Sequence, residues 1–202
     1  MKVKKLIVGQ LQTNCYLAIY KDQCLIIDPG DDADYIISTI KDLEVKPIGL
    51  LATHGHFDHL LSATELKLAY SIPFYLHKAD LPILKRTQST AKHFTGLSVD
   101  PPPKVDRFLK DGDILRVGKS ELKVIETPGH TQGSISLKGK GIIFVGDLIF
   151  AGGGVGRTDL QGGNTKLLDK SVKKILKFPK NIIIYPGHGE EITVEEEKKF
   201  FK

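Results

Sequence analysis

The sequence has few cysteines and no long apolar run. Only two cysteines, Cys15 and Cys24, occur among 202 residues, too few for a disulfide scaffold and at no spacing typical of a zinc finger. No stretch reaches eighteen consecutive apolar residues, which excludes a membrane-spanning helix. The N-terminal residues have neither a long apolar segment nor a small-residue cleavage site. We therefore expect no signal peptide and a reduced, cytoplasmic protein.

The sequence also lacks a large excess of either charge. The chain has 29 Lys and Arg against 24 Asp and Glu, a formal net charge of +5, and the lysines are mostly scattered. Such a surface argues against nucleic-acid binding, while a mild positive field can attract small anions. We expect one globular domain over residues 1–202, a small-molecule substrate, and no nucleic-acid or membrane partner. The composition leaves the oligomeric state open.

Apolar runs alternate with turn signals along the whole chain and predict sheets with helices packed on them. Strands are expected at 3–8, 15–20, 24–27, 48–52, 73–77, 113–117, 122–126, 133–137, 141–145 and 181–185. Helices are expected at 31–43, directly after residue 59, and at 78–86, 165–178 and 194–202. Residues 88–103, which end in three prolines, are expected to form a surface excursion. The repeated order of strands, helix and strand predicts a two-layered sheet core between outer helices.

The most informative stretch is Thr53-His54-Gly55-His56-Phe57-Asp58-His59, directly after the apolar run 48–52. Three of the seven histidines of the chain fall within six residues, together with one aspartate. Neutral imidazole and carboxylate form a donor set that suits zinc, iron or manganese. The stretch therefore predicts a metal site at a strand end. A tight turn at Gly55 can point alternate side chains at two neighbouring places, so one segment could serve two metal ions.

Three further candidate ligands, His130, Asp147 and His188, each follow a predicted strand and are flanked by Gly or Pro. Strand ends along one edge of a sheet are where sites carried by loops collect. Together with the 54–59 stretch they give seven candidates, enough for two ions that share a carboxylate. A structural zinc site is closed by four ligands, so seven argue against a non-catalytic, metal-stabilised binding module.

The order Thr-His-Gly-His-Phe-Asp-His, Thr-Pro-Gly-His-Thr, Gly-Asp and Pro-Gly-His resembles the metallo-β-lactamase superfamily, from residue 14 to residue 188. Within it, Thr13-Asn14-Cys15-Tyr16-Leu17 and Asp28-Pro29-Gly30 are similar to the glyoxalase II group, the hydroxyacylglutathione hydrolases. The resemblance implies an α/β fold, a four-layer αββα sandwich. About fourteen residues follow His188, so the chain resembles a short form without the C-terminal helical domain that completes the thiol-substrate site in longer relatives.

The resemblance also assigns roles within the site. It implies a first ion held by His54, His56 and His130, a second held by Asp58, His59 and His188, and Asp147 bridging both. Two zinc ions are the first expectation, with iron or manganese as alternatives. The implied reaction is hydrolysis of an anionic thioester such as S-lactoylglutathione by a water molecule that the metal activates. Asp58 is expected to be catalytic, orienting that water and accepting its proton.

Arg157 lies where glyoxalase II relatives carry a basic residue toward a glutathione carboxylate. The resemblance thus implies substrate binding by Arg157, and a guanidinium suits a carboxylate. An equal alternative is that Arg157 pairs with Asp159 or a backbone carbonyl and holds the loop. Two histidines, His77 and His93, match no motif position and are expected to be ordinary surface or packing residues.

Two other reactions of the same fold stay open. A mononuclear iron glutathione-persulfide dioxygenase would use His54, His130 and Asp147, and relatives of that kind share a segment similar to Gly156-Arg157-Thr158-Asp159. A lactonase would share the whole set of ligands. One iron per chain would indicate the dioxygenase, whereas two metal ions per chain would indicate a hydrolase.

Overall fold

Two six-stranded sheets form the middle of the molecule in the computed structural model, which describes residues 1–201. The strands of the first sheet are β1 (Lys2–Val8), β2 (Thr13–Tyr20), β3 (Gln23–Ile27), β4 (Lys46–Leu51), β5 (Phe74–His77) and β6 (Arg107–Leu109). They lie in sequence order, antiparallel from β1 to β3 and parallel from β3 to β6. All three parallel pairings therefore direct their carboxyl ends to one edge of this sheet.

The later strands are β7 (Ile114–Val117), β8 (Ser120–Glu126), β9 (Ile135–Lys138), β10 (Ile142–Gly146), β11 (Ile149–Phe150), β12 (Gly154–Val155), β13 (Ile183–Pro186) and β14 (Ile192–Thr193). Six of them form the second sheet in the order β14, β13, β10, β9, β8, β7, and β11 pairs with β12 in a separate ribbon. Within the second sheet β10 and β13 run parallel, and the other neighbours are antiparallel.

The helices are α1 (Ala33–Asp42), α2 (Ala63–Tyr70), α3 (Leu81–Leu84), α4 (Thr87–Thr95), α5 (Thr165–Ile175) and α6 (Val194–Glu197). Two short 3-10 turns cover Phe57–His59 and Lys78–Asp80. Among the described residues, no helix combines the length and apolar character that crossing a bilayer requires.

Alternation of side chains along the strands sorts the core into three layers. In β2, Leu17 packs with the α1 residue Ile36 outside the first sheet, whereas its neighbour Tyr16 points between the sheets and contacts Phe144 of β10. The outer face of the second sheet packs on α5, where Val172 belongs to a separate apolar cluster. Successive residues of a strand point to opposite faces of its sheet. Each sheet therefore has one face against the other sheet and one face against helices. The predicted four-layer αββα sandwich is confirmed.

The prediction of a surface excursion at 88–103 is wrong in its first part, because α4 (Thr87–Thr95) is helical. Its sequence has little apolar periodicity, and only Thr87 and Ala91 are buried. A tertiary contact that no local pattern shows helps to hold this helix in place: Phe94 stacks on Phe57, with ring centroids 6.1 Å apart. The same segment leads to β6, a short edge strand that was not predicted.

The C-terminal helix predicted for 194–202 is also shorter than expected, since α6 ends at Glu197. The buried carboxylate of Glu197 accepts hydrogen bonds from the backbone N–H groups of Gly152 and Gly153, both at 2.9 Å. Phe200 then packs against Gly153. These contacts draw the chain onto the turn between β11 and β12, which a continued straight helix would leave uncovered.

Candidate metal centre

Two buried carboxylates hold the turn at residues 53–59, and the first is Asp28 at the end of β3. Its Oδ1 accepts a hydrogen bond from the backbone N–H of Thr53 at 2.6 Å, and its Oδ2 accepts from the Thr53 hydroxyl at 2.9 Å. The same Oδ2 lies 3.2 Å from Nδ1 of His59. Asp28 thus fixes both ends of the turn. Sequence reasoning noted Asp28 only as part of a motif and gave it no role.

The second carboxylate is Asp80, which sequence reasoning missed. It accepts hydrogen bonds from the N–H of Gly55 at 2.8 Å, the hydroxyl of Thr131 at 2.7 Å and the N–H of Gly133 at 2.7 Å. Burial raises the pKa of Asp80, while the three hydrogen bonds favour its charged form. Asp80 therefore connects the turn of the first sheet to the turn that carries His130, after β8.

All seven predicted ligands converge at this edge of the two sheets. Three sets have potential ligand atoms within 4.8 Å of one another: His54, His56 and His130; His54, His59 and Asp147; and Asp58, His59 and His188. Asp147 lies between the others, with Oδ1 3.4 Å from Nε2 of His59 and Oδ2 3.6 Å from Nε2 of His130. The geometry matches a centre for two ions with Asp147 between them, and the role of these residues as ligands stays a prediction.

The polar neighbours of the two deepest histidines favour a proton on Nδ1 of each ring. The Thr53 hydroxyl donates its proton to Asp28, so it can only accept from Nδ1–H of His54, 3.1 Å away. Nδ1 of His59 lies near the Asp28 carboxylate, and its negative charge favours a proton on that nitrogen. When each ring is neutral with its proton on Nδ1, Nε2 carries the lone pair that a metal ion requires.

The histidines of the second sheet follow the same rule. Nδ1 of His130 lies 2.7 Å from the backbone carbonyl of Arg157, and Nδ1 of His188 lies 3.3 Å from that of Gln12. A carbonyl oxygen only accepts, so both Nδ1 atoms donate. In the neutral form of each ring, Nε2 then presents a lone pair to the cluster. The carbonyl of Arg157 therefore orients His130, whatever its side chain does.

Several of these lone pairs have no partner in the protein. Nε2 of His54, Nε2 of His59 and Oδ1 of Asp147 are buried without a hydrogen bond from any residue of the described range 1–201. An acceptor left alone in the interior costs free energy, about 1–3 kcal/mol each. Three such acceptors aimed at one place fit a bound cation, so these residues suit a metal centre.

The electrostatics of the cluster also suit a cation. Burial lowers the pKa of His54 well below its usual value, and burial with the nearby charge of His130 lowers that of His56 to about 4, so both rings are neutral. Burial opposes the charged form of His59, but Asp147 and Asp58 raise its pKa well above the usual value. Burial likewise opposes ionisation of Asp147, but the charge of that imidazolium holds the pKa of Asp147 well below the usual range. The carboxylates thus already hold one positive charge at this place, which a metal ion would take over. Neutral imidazole and ionised carboxylate are the forms that bind metal ions.

Glycine at position 187 allows the last strand end to reach the cluster. A Cβ atom there would lie 2.1 Å from Oδ1 of Asp147 and 2.8 Å from Cε1 of His59. The backbone N–H of Gly187 donates to the carbonyl of Gly146 at 2.9 Å, which ties the ends of β13 and β10 together. Any larger residue would push the loop carrying His188 away from Asp147.

A cavity of about 750 Å³ opens above the cluster. Its lining combines residues of the cluster with apolar side chains such as Phe57 and Phe94. The expectation that His93 is an ordinary surface residue is incomplete, because this exposed side chain of α4 also lines the cavity. His77 lies apart from the lining and contacts Glu126, 3.2 Å from Oε1.

Arg157 also lines the cavity, but its guanidinium is engaged locally. It donates two hydrogen bonds to the carboxylate of Asp159, at 2.8 and 2.7 Å. The structure thus shows the alternative in which Arg157 pairs with Asp159. Both side chains are exposed, so this pair contributes little to stability.

Comparison with known proteins identifies the family of this chain. The family model of the metallo-beta-lactamase superfamily matches residues 8–188, a range that contains all seven residues of the cluster. The chain belongs to the metallo-β-lactamase superfamily. Membership makes this a protein of a metallohydrolase superfamily.

Two curated relatives of the superfamily match nearly the whole chain. A probable metallo-hydrolase of Bacillus subtilis, YqgX, is 36% identical over 202 residues, covering 98% of this chain and 95% of the relative. The hydroxyacylglutathione hydrolase GloC of Haemophilus influenzae is 34% identical over 211 residues, covering 98% of this chain and 96% of the relative. The chain is thus similar to these proteins from end to end.

Two crystal structures are also similar to this chain over nearly its whole length. The BLEG-1 B3 metallo-beta-lactamase has a TM-score of 0.91 and 33% identity, with 98% of this chain and 97% of the other covered. The protein TTHA1623, solved in a di-iron-bound form, has a TM-score of 0.90 and 33% identity, with 98% of both chains covered. These matches confirm the layer order of the fold.

Proposed function

We propose that this protein is a metal-dependent hydrolase that cleaves a thioester such as S-lactoylglutathione, using two divalent ions. The observation that carries the proposal is the pair of three-residue sets that Asp147 joins at the base of an open cavity. The thioester is favoured by the end-to-end similarity to a hydroxyacylglutathione hydrolase at 34% identity.

One ion would be held by His54, His56 and His130, the other by Asp58, His59 and His188, and Asp147 would contact both. Zinc suits these nitrogen and oxygen donors, and the di-iron form of a 33% identical protein makes iron the first alternative. Divalent ions in such a centre supply an acidified water molecule and polarise a carbonyl group.

Asp58 is the carboxylate best placed to act on that water. It lines the cavity, and its side chain is 15% exposed, so it meets both the cluster and the solvent-filled space. Burial opposes its ionisation, but the charge of His59 and the hydrogen bond of His188 hold its pKa below the usual value. Asp58 is therefore ionised near neutral pH, and we assign it the orientation of the attacking water and the acceptance of its proton.

No side chain in the cavity has the surroundings of a covalent nucleophile. The hydroxyls of Ser89 and Thr90 both donate to the backbone carbonyl of Arg86, at 2.9 and 2.8 Å, and neither contacts a base. Cys15 is fully buried in β2, where burial raises the pKa of its thiol. Direct attack by water is the step that these residues support.

Metal analysis and thiol release test this proposal together. Protein loaded with zinc, manganese or iron should contain two ions per chain and release thiol from S-lactoylglutathione. Asp58→Asn should lower kcat at least about a hundredfold with the fold retained, whereas Asp34→Asn on the exposed face of α1 serves as the matched control. Absence of turnover with all three metals would contradict the proposal.

A second candidate is hydrolysis of a β-lactam, favoured by the match to the BLEG-1 B3 metallo-beta-lactamase. The same cluster would serve either carbonyl substrate, and a lactone as well. Nitrocefin and a simple lactone, assayed beside the thioester under one set of metal conditions, rank these activities by kcat/KM.

Iron chemistry is the remaining alternative, because the di-iron form of TTHA1623 shows iron in a similar protein. In a mononuclear iron glutathione-persulfide dioxygenase, His54, His130 and Asp147 would hold one ion. One iron per chain with oxygen uptake on glutathione persulfide would replace the hydrolase proposal.

A further inference from the structure

Two arginines line the cavity above the metal centre, and they differ in the charge of their partners. The carboxylate of Asp159 accepts two hydrogen bonds from one guanidinium edge of Arg157, Nε and Nη2, and the hydrogen bond from Arg157 lowers the pKa of Asp159 to about 2. That pair is close to neutral as a unit. A second anion would therefore meet a guanidinium whose charge Asp159 already compensates.

Arg86 is different, because its guanidinium donates to the amide oxygen of Gln161, a neutral group. Within residues 1–201, no carboxylate lies within ion-pair distance of Arg86. Arg86 and Gln161 both line the cavity, and they join the start of α4 to the loop that follows β12. The cavity therefore has one arginine whose positive charge is uncompensated.

The backbone at Arg86 is well fixed. Its N–H donates to Ile83, and its carbonyl accepts from the N–H of Thr90 at 2.9 Å and from two hydroxyls of the same helical turn. The side chain is oriented by Gln161 before any ligand arrives. Such preorganisation lowers the entropic cost of binding, and a guanidinium recognises a carboxylate with two parallel hydrogen bonds.

We propose that Arg86, oriented by Gln161, is the residue that recognises the anionic part of the substrate and makes the enzyme prefer thioesters whose thiol carrier bears a carboxylate. This inference rests on the proposed thioesterase function and assigns substrate selection to α4 rather than to Arg157. Arg86 at the start of the unpredicted helix α4 thereby forms part of the substrate wall.

The preference is measured as the ratio of kcat/KM for S-lactoylglutathione to that for the lactoyl thioester of N-acetylcysteamine, which has no carboxylate. Arg86→Gln should lower this ratio about tenfold, the size expected for one charged hydrogen-bonded pair. Lys85→Gln removes the same charge one residue earlier, outside the cavity lining, and should leave the ratio unchanged. Thermal melts establish that both variants are folded.

A second variant separates charge from structure. Gln161→Glu keeps the shape of the partner but gives Arg86 the same kind of carboxylate that Arg157 already has. It should lower the ratio in the same direction as Arg86→Gln. A normal ratio in Gln161→Glu, or a larger loss in Arg157→Gln than in Arg86→Gln, would overturn the assignment.

Binding of S-methylglutathione, a thioether that cannot be hydrolysed, tests Arg86 independently of catalysis. Calorimetry on the metal-loaded protein should show affinity about tenfold weaker in Arg86→Gln than in the wild type and Lys85→Gln. If the wild type cleaves no thioester, the proposed function fails while this binding difference still supports Arg86 as an anion site. Equal binding by wild type and Arg86→Gln would refute the role of Arg86.

Discussion

The two sheets contribute to the metal centre in different ways. The first supplies four of the seven side chains from the single turn 54–59, whereas the second supplies one from each of three strand ends, after β8, β10 and β13. The turn is held by the hydrogen bonds of Asp28 and Asp80. The strand ends of the second sheet depend on close backbone approach, as at Gly187. Polar anchors thus hold the turn of the first sheet, and Asp80 extends them to the turn after β8, whereas the end of β13 depends on tight packing.

Asp147 contacts both sides of the centre, so its replacement should have the largest effect. Asp147→Asn keeps the shape of the side chain and removes the charge that faces His59 and His130. We expect kcat/KM for the thioester to fall more than about a hundredfold, beyond the 10–100-fold typical for partners of ligands. At least one ion should be lost in metal analysis. Asp169→Asn on exposed α5 is the control, and normal metal content in Asp147→Asn would exclude a bridging role.

Gly187→Ala tests the contribution of tight packing at the end of β13. The added Cβ would meet Asp147 and His59, so we expect a loss of about 1–3 kcal/mol in the free energy of unfolding and one ion fewer per chain. Gly189→Ala is a matched control two residues away, where the backbone φ is +80° and no atom lies within 4 Å of the added Cβ. It should cost about 1 kcal/mol through its backbone alone and retain both ions. Urea unfolding and metal analysis distinguish the two.

Asp28→Asn tests the polar anchors of the turn 54–59, and its effect should be smaller than that of Gly187→Ala. The variant weakens the anchor of Thr53 and the contact with Nδ1 of His59 but leaves all seven cluster residues in place. Metal affinity should fall about 10–100-fold, measured by competition with a chromophoric chelator. Asp22→Asn, in the turn before β3, is the control. An unchanged affinity would show that backbone packing alone holds the turn.

The thiols provide the smallest expected effect, since both are buried in the first sheet and neither belongs to the cluster. Burial raises the pKa of Cys24 to about 12 and that of Cys15 well above its ordinary value. Neither should react with a disulfide reagent in the folded protein at pH 8, and both should react in guanidinium chloride. Rapid reaction of one thiol in the folded state would show that the first sheet opens near the centre.

The contrast between the sheets also explains what the sequence could reveal. The turn 54–59 is visible because its ligands are consecutive, and His130, Asp147 and His188 are visible because Gly or Pro marks each strand end. Their meeting was predicted from their places at strand ends and from the superfamily resemblance. The order of strands in the two sheets, which brings them together, was not predicted. The strands themselves were predictable because their apolar runs are long compared with the turns between them.

The parts that escaped prediction depend on long-range contacts. Asp80 lies in an ordinary segment, and only folding places it against Gly55 and Gly133. Helix α4 has a polar sequence and is held by Phe57, thirty-seven residues before Phe94. The pairing of Arg157 with Asp159 was one of two equal alternatives, and Arg86 carried no signal because its partner Gln161 is distant along the chain.

The meeting of both sheets at one cluster has a consequence for folding as well as for chemistry. An ion held there joins the two halves of the polypeptide, and they cannot separate without releasing it. By mass action, free metal at about a thousand times its dissociation constant would add about 4 kcal/mol to the free energy of unfolding. The heat resistance of this protein would then follow the metal supply of its surroundings, and chelation would reduce the folded fraction along with activity.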